Sequence, residues 1–224
     1  MRFGIVAALD SEAASFEQPH GRLLDGHEYR VVVSGPGRAN AARATNSLID
    51  DGCEVLLSWG LAGGLDHTLA AGDVVVASHL RSTGETVLEP DAALVATLCA
   101  RLDPSRTRRG VVLSIDAPVA SRREKAVLHQ RYGACAVEME ALAVAQVARS
   151  ARLPFLCVRA VVDPAGFEVP GAALAGMGED GRLRPWRTLG ALLGTPQQVP
   201  AMFGLALHYR RALGALRDTV RRLQ

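Results

Sequence analysis

Apolar runs rich in Val, Ile and Leu recur at 2–8, 29–34, 53–58, 73–80, 110–115 and 155–162, several of them continuous rather than alternating. Continuity is what a strand buried on both faces needs, because period-two alternation leaves one face to water. Between these runs the spacing turns helical. ARATNSLIDDG (42–52) and DAALVATLCARLD (91–103) show it best, the first closed by Gly52. EALAVAQVARSARLP (140–154) is a third, rich in Ala and stopped before Pro154, which resets the chain to extended geometry. Strands alternating with helices predict one α/β domain over 1–224. Its expected form is a three-layer α/β/α sandwich around a central, twisted, mixed and largely parallel sheet.

The pattern changes after Pro164. Glycines and prolines break any long element as far as Pro200, which predicts a loop or lid over 164–200 with one short helix near 186–193. An amphipathic helix is expected over 201–223. Its arginines, at 210, 211, 217, 221 and 222, gather toward the end, where positive charge complements the helix dipole.

Charge and composition narrow the function. The chain has 224 residues, 49% hydrophobic and 21% charged, enough for one sizeable core. With 25 basic against 23 acidic side chains it lacks the excess that nucleic-acid binding needs, so a small ligand is expected. Cys53, Cys99, Cys135 and Cys157 are widely spaced with no CxxC and read as buried hydrophobes. The N-terminus enters a strand directly, with Asp10 and Glu12 close behind, unlike a signal peptide. No apolar stretch reaches the ~18 residues of a membrane span, so a soluble cytoplasmic protein is expected.

Several chemistries lack their signatures. The six histidines show neither HExxH nor Cys/His spacing, so no metal is expected, and there is no GxSxG elbow. SWGLAGGLDHTLAAGDVVVAS has no Lys-Ser/Thr after its glycines and is not an NTPase phosphate loop. VVVSGPGRANAARAT opens like a dinucleotide fingerprint but has Asn40 at the third glycine position, and no acid ends the next strand. A tight turn into a helix whose N–H groups face an anion or a ribose fits it better.

Three carboxylates stand where strands end: Glu12 after RFGIVAALD, Glu140 in AVEMEALAVAQVA and Asp163 after PFLCVRAVV. Each alone reads as a helix cap, a dipole complement or an Asx turn. Together, at the carboxyl ends of strands, they face one crevice. Paired acids there suit glycosidic cleavage, one protonating the leaving group while another activates water.

In order, FGIVAALDSE (3–12), SGPGRANAA (34–42), SWGLAGGL (58–65) running into GDVVVAS (72–78), AVEMEALAVAQVA (136–148) and VRAVVD (158–163) resemble the nucleoside phosphorylase and nucleosidase superfamily. The methylthioadenosine/S-adenosylhomocysteine nucleosidase branch is the nearest. The resemblance implies that Glu12 activates water, that Glu140 accepts the ribose hydroxyls beside Glu138, and that Asp163 protonates purine N7. It places Met139 on the sugar, Ala62 and Gly63 near the anomeric carbon, and the backbone around Val119 at the base. It implies no cofactor, phosphate being a co-substrate only for phosphorolysis, and a homodimer.

This chain departs from the family pattern at several positions. Pro118 replaces the aromatic ring that stacks on adenine, and Val162 replaces a polar residue before the acid. Ser58 and Leu61 stand where phosphorylases carry phosphate-binding groups, which favours water, though Arg38, Arg182 or Arg184 would offer a substitute cation. The segment after Pro164 resembles the hopanoid-associated subgroup, implying adenosylhopane as substrate and contact of basic residues with membrane lipid. Phosphorolysis of a purine nucleoside and purine binding without turnover are the alternatives.

Overall fold

All six apolar runs form strands in the computed structural model, which describes residues 1–176, 191 and 194–224. They are β1 (Arg2–Ala7), β3 (His27–Val33), β4 (Val55–Gly64), β5 (Val74–Arg81), β7 (Thr107–Ser114) and β9 (Phe155–Asp163). Three further strands have no such run: β2 (His20–Leu23), β6 (Val87–Leu88) and β8 (Ala134–Glu138). The helices are α1 (Asp10–Ala13), α2 (Arg38–Asp50), α3 (Ala92–Arg101), α4 (Arg122–Tyr132), α5 (Ala141–Ser150), α6 (Gly171–Gly176) and α7 (Val199–Leu223). The final helix starts two residues earlier than its pattern predicts. The short helix expected near 186–193 lies outside the described residues but for residue 191, as do residues 177–190, 192 and 193 of the expected lid, whose described parts hold α6 and the start of α7.

Mixed pairing organises the sheet. β1 lies parallel between β3 and β4, and β2 adds an antiparallel edge to β3. β4 also runs parallel to β9 along most of its length and meets β8 antiparallel at Gly63 and Gly64. β9 pairs antiparallel with β5, β5 parallel with β7, and β7 parallel with β8. The path β4–β9–β5–β7–β8 therefore returns to β4 and closes a ring, with β1, β3 and β2 as an open wing. A wholly open sheet is the simpler expectation. Register shifts at Ala62/Gly63, Ala77/His79 and Val111/Val112 mark the bends, as bulges increase local twist.

Helices cover both faces. Ala41, Ala44 and Leu48 of α2 and Leu142, Val144 and Ala145 of α5 pack with Leu56, Cys157 and Val161. On the other face Val95 and Leu98 of α3 and Ala212, Leu216 and Val220 of α7 pack with Leu57, Trp59, Val158 and Ala160. Each fully buried Leu or Val contributes about 1.5–3 kcal/mol relative to exposure. Smaller still, a third cluster of Leu113, Val119, Tyr132 and Val137 lies under α4.

All four cysteines are free, three buried and Cys99 half-buried. Burial pushes the thiols of Cys135 and Cys157 up to about 11 and about 12, which keeps both protonated and unreactive. Among the described residues, no helix is long and apolar enough to cross a membrane.

Candidate active site

The first strand delivers Glu12. After Ala7 the chain turns into the single turn α1, which Ser15 fixes by donating to the Glu12 carbonyl at 2.6 Å and accepting from Trp59 Nε1 at 2.9 Å. The Glu12 side chain is only 4% exposed. Its Oε2 accepts from the N–H groups of Ala8 (3.0 Å) and Leu9 (2.9 Å), and its Oε1 from Leu61 N–H at 2.8 Å. Burial raises its pKa even so, outweighing those donors and the Arg159 charge.

The junction of β8 and α5 carries two more carboxylates. Glu138 Oε2 accepts from Glu140 N–H (2.9 Å), Ala141 N–H (2.6 Å) and Arg159 Nη2 (2.7 Å), while Oε1 has no partner among the described residues. The buried Arg159 also donates to Ser58 Oγ at 2.7 Å. Glu140 Oε1 accepts from Gly37 N–H at 2.8 Å, tying the turn before α2 to this junction. Gly37 has φ +92°, a conformation that favours glycine. Burial and then the Glu138 charge push Glu140 up to about 7.

Asp163 closes β9 and is 7% exposed. Its Oδ2 lies 2.5 Å from Nζ of Lys125, which is fully buried. Burial raises the Asp163 pKa more than that ammonium lowers it. All these groups border one stretch of β4. Glu12 abuts Gly60 and Leu61, Arg159 joins Glu138 to Ser58, and Asp163 pairs with Gly63. An alanine Cβ at Gly60 would lie 2.6 Å from Glu12 Oε1, and one at Gly63 would lie 3.2 Å from Asp163 Oδ2. Glycines at both positions let two acids approach the same strand.

A family model described as the phosphorylase superfamily matches residues 9–177. The chain belongs to that superfamily. Within it, the chain is 32% identical over 167 residues to a 5′-methylthioadenosine/S-adenosylhomocysteine nucleosidase of Bacillus cereus, covering 65% of this chain and 72% of the relative. A Streptococcus pneumoniae MTA/SAH nucleosidase in complex with 8-aminoadenine is 26% identical, with a TM-score of 0.65 over 74% of this chain and 87% of the other. The fold matches at greater extent a Neisseria meningitidis nucleosidase in complex with methylthio-immucillin-A: TM-score 0.74, 19% identity, 99% and 97% coverage. These likenesses put this superfamily member on the nucleosidase branch.

In this phosphorylase-superfamily chain, the residues singled out by sequence fall as follows. Glu12, Glu138 and Asp163 are gathered around β4, which contains Gly63, while Glu140 joins them through its N–H to Glu138, and half-buried Met139 sits between the two glutamates. Ala62 is buried among the α2 and α5 contacts, while Val119 packs beside Leu113 and Val137. Val162 packs against the opposite cluster, under α3 and α7. Arg38 is engaged by the Ser114 carbonyl (3.2 Å) and Asp116 (2.9 Å), and Arg182 and Arg184 lie outside the described residues.

Sequence reasoning missed Lys125, Arg159 and the upper half of α7. Tyr209 Oη hydrogen-bonds Ser11 Oγ at 2.7 Å, one residue from Glu12. Phe167, four residues past Asp163, packs its ring edge-on to His208 at 4.8 Å. Val199, Phe203 and Leu207, spaced four apart on the same helix, are exposed, Phe203 by 74%.

Proposed function

We propose that the chain hydrolyses the N-glycosidic bond of a 5′-substituted adenosine, releasing adenine. The observation that carries this reading is the placing of Glu12 and Asp163, far apart in the sequence, against residues 60–63 of one strand. In the reaction Asp163 gives its proton to purine N7 as the C1′–N9 bond breaks. The bonding pair moves into the purine ring, so the base leaves neutral. Glu12 takes a proton from water as its oxygen bonds to the oxocarbenium-like C1′. Glu140, ionised, accepts from the ribose hydroxyls. Burial divides the roles, since a shielded aspartic acid holds its proton more readily than one in water.

Water as acceptor is supported by one position where phosphorylases bind phosphate and by one candidate substitute cation. Ser58 Oγ is bonded by Arg159, and Arg38 is committed to Ser114 and Asp116. A hydrophobic 5′ group, adenosylhopane being the named candidate, is supported by the exposed Val199, Phe203 and Leu207 on the helix that Tyr209 fastens beside Glu12. The same stripe runs into Arg210 and Arg211, both exposed, a pattern that suits contact with anionic lipid. A cytoplasmic homodimer completes the reading, by resemblance to the family.

The test is to incubate the protein with methylthioadenosine and adenosylhopane, each with and without phosphate, and to identify products by mass. Adenine and a free sugar without phosphate are expected, with adenosylhopane preferred. A sugar 1-phosphate formed only with phosphate would establish phosphorolysis instead.

A further inference from the structure

We propose that Lys125 is a positioning residue for this reaction, its ammonium holding one oxygen of the acid Asp163 together with the segment that leaves β9. The inference rests on the functional reading above. An ammonium taken out of water costs several kcal/mol unless it is paired and fully hydrogen-bonded. Lys125 is 0% exposed and meets four acceptors: Asp163 Oδ2 at 2.5 Å and the carbonyls of Asp163 (2.9 Å), Phe167 (3.0 Å) and Pro164 (3.1 Å). Three protons are thus saturated, and every acceptor comes from residues 163–167. A lysine retained for helix packing alone would not need that arrangement.

Two consequences follow for catalysis. First, Oδ2 is committed to Lys125, which leaves Oδ1 as the oxygen for the purine. Second, the clamp reaches Phe167, whose ring meets His208 and lies beside Gly204 of α7. One ammonium therefore ties the acid to the segment that carries Phe167. The cation also favours the ionised carboxylate against the effect of burial, so Asp163 passes its proton on more readily. Among the described residues, Lys125 is the one charge that acts on Asp163. Gly63 of β4 lies against the Asp163 carboxylate with Val137 of β8 beside it, while His208 of α7, whose ring meets Phe167, feels the charges of both Arg211 and Lys125.

The experiment compares wild type, Lys125→Met, Lys125→Arg, Asp163→Asn and the Lys125→Met/Asp163→Asn double variant on methylthioadenosine, recording kcat and KM against pH and thermal melting. Lys125→Met is expected to lower kcat about 10- to 100-fold with little change in KM. Its alkaline limb, where Asp163 loses its proton, should move to higher pH. Lys125→Arg should keep the limb near its wild-type position, and the double variant should be no slower than Asp163→Asn. If Lys125→Met does not fold, Lys125→Gln takes its place. Full activity in the neutral variants, or an unmoved limb with multiplicative losses in the double, would overturn the proposal. The parent reading fails differently, by a fully active Asp163→Asn or a wild type that releases no adenine.

Discussion

Leu61 donates its N–H to Glu12 Oε1 at 2.8 Å, so the fourth strand holds the carboxylate that the first strand delivers. The neighbouring Gly60 makes this approach possible. Glu12 is pinned by three N–H groups and cannot swing away from a new methyl group 2.6 Å from its oxygen. Gly60→Ala should therefore lower kcat about 100-fold or more, the scale of losing a general base, in steady-state assays. A variant within threefold of wild type would contradict the geometry.

Glu140 gives a pH dependence. In the proposed reaction it is ionised to accept the ribose hydroxyls, and its pKa is pushed up to about 7 in the folded chain. On the acid side, kcat/KM should rise with pH until near 7. Stability should run the opposite way. The folded state binds this proton more tightly than the unfolded chain, so stability falls as pH rises from the ordinary carboxylate range through 7. Glu140→Gln should melt a few degrees above wild type at pH 8 and no higher near pH 4, measured by calorimetry.

Arg159 and Glu138 form a buried ion pair 2.7 Å apart. Removing one partner strands the other charge. Arg159→Met should destabilise the fold by about 3–5 kcal/mol in urea denaturation, and Glu138→Leu/Arg159→Met should recover part of that loss. A cost below ~1 kcal/mol would show that the pair is better solvated than its burial implies.

Much of the frame is legible in the sequence, and the exceptions have physical causes. Continuous apolar runs mark β1, β4, β5 and β9 because those strands are buried on both faces, whereas β3 and the start of β7 are partly exposed and show only through their valines. β8 escapes notice because ACAVE runs into the Ala-rich stretch of α5, where periodicity cannot separate a short buried strand from a helix. The helix α4 carries few apolar residues, yet Ser121 with Glu124 and the closing Gly133 were usable boundary signals. Glu12, Glu140 and Asp163 stand out through their positions at strand ends. Lys125 and Arg159 do not, since a basic residue carries no mark of burial until its partners are known. The ring closure is hidden for a related reason: it depends on bulges and on β9 pairing at both edges.

The exposed stripe on α7 bears on substrate choice. Phe203→Ser/Leu207→Ser should raise KM for an adenosine with a long alkyl 5′ group about tenfold and leave methylthioadenosine nearly unchanged. Both side chains are exposed, so the melting temperature should shift little. Equal effects on the two substrates would remove the stripe from substrate recognition.

The central claim is that water, readied by Glu12, replaces an adenine protonated by Asp163. Its most direct test is turnover of methylthioadenosine in phosphate-free ¹⁸O-labelled water, with mass analysis of both products. The account predicts free adenine and a sugar carrying one ¹⁸O at C1′, with both signals lost in Asp163→Asn. Release of adenine only when phosphate is supplied, or undiminished release by Asp163→Asn, would contradict it.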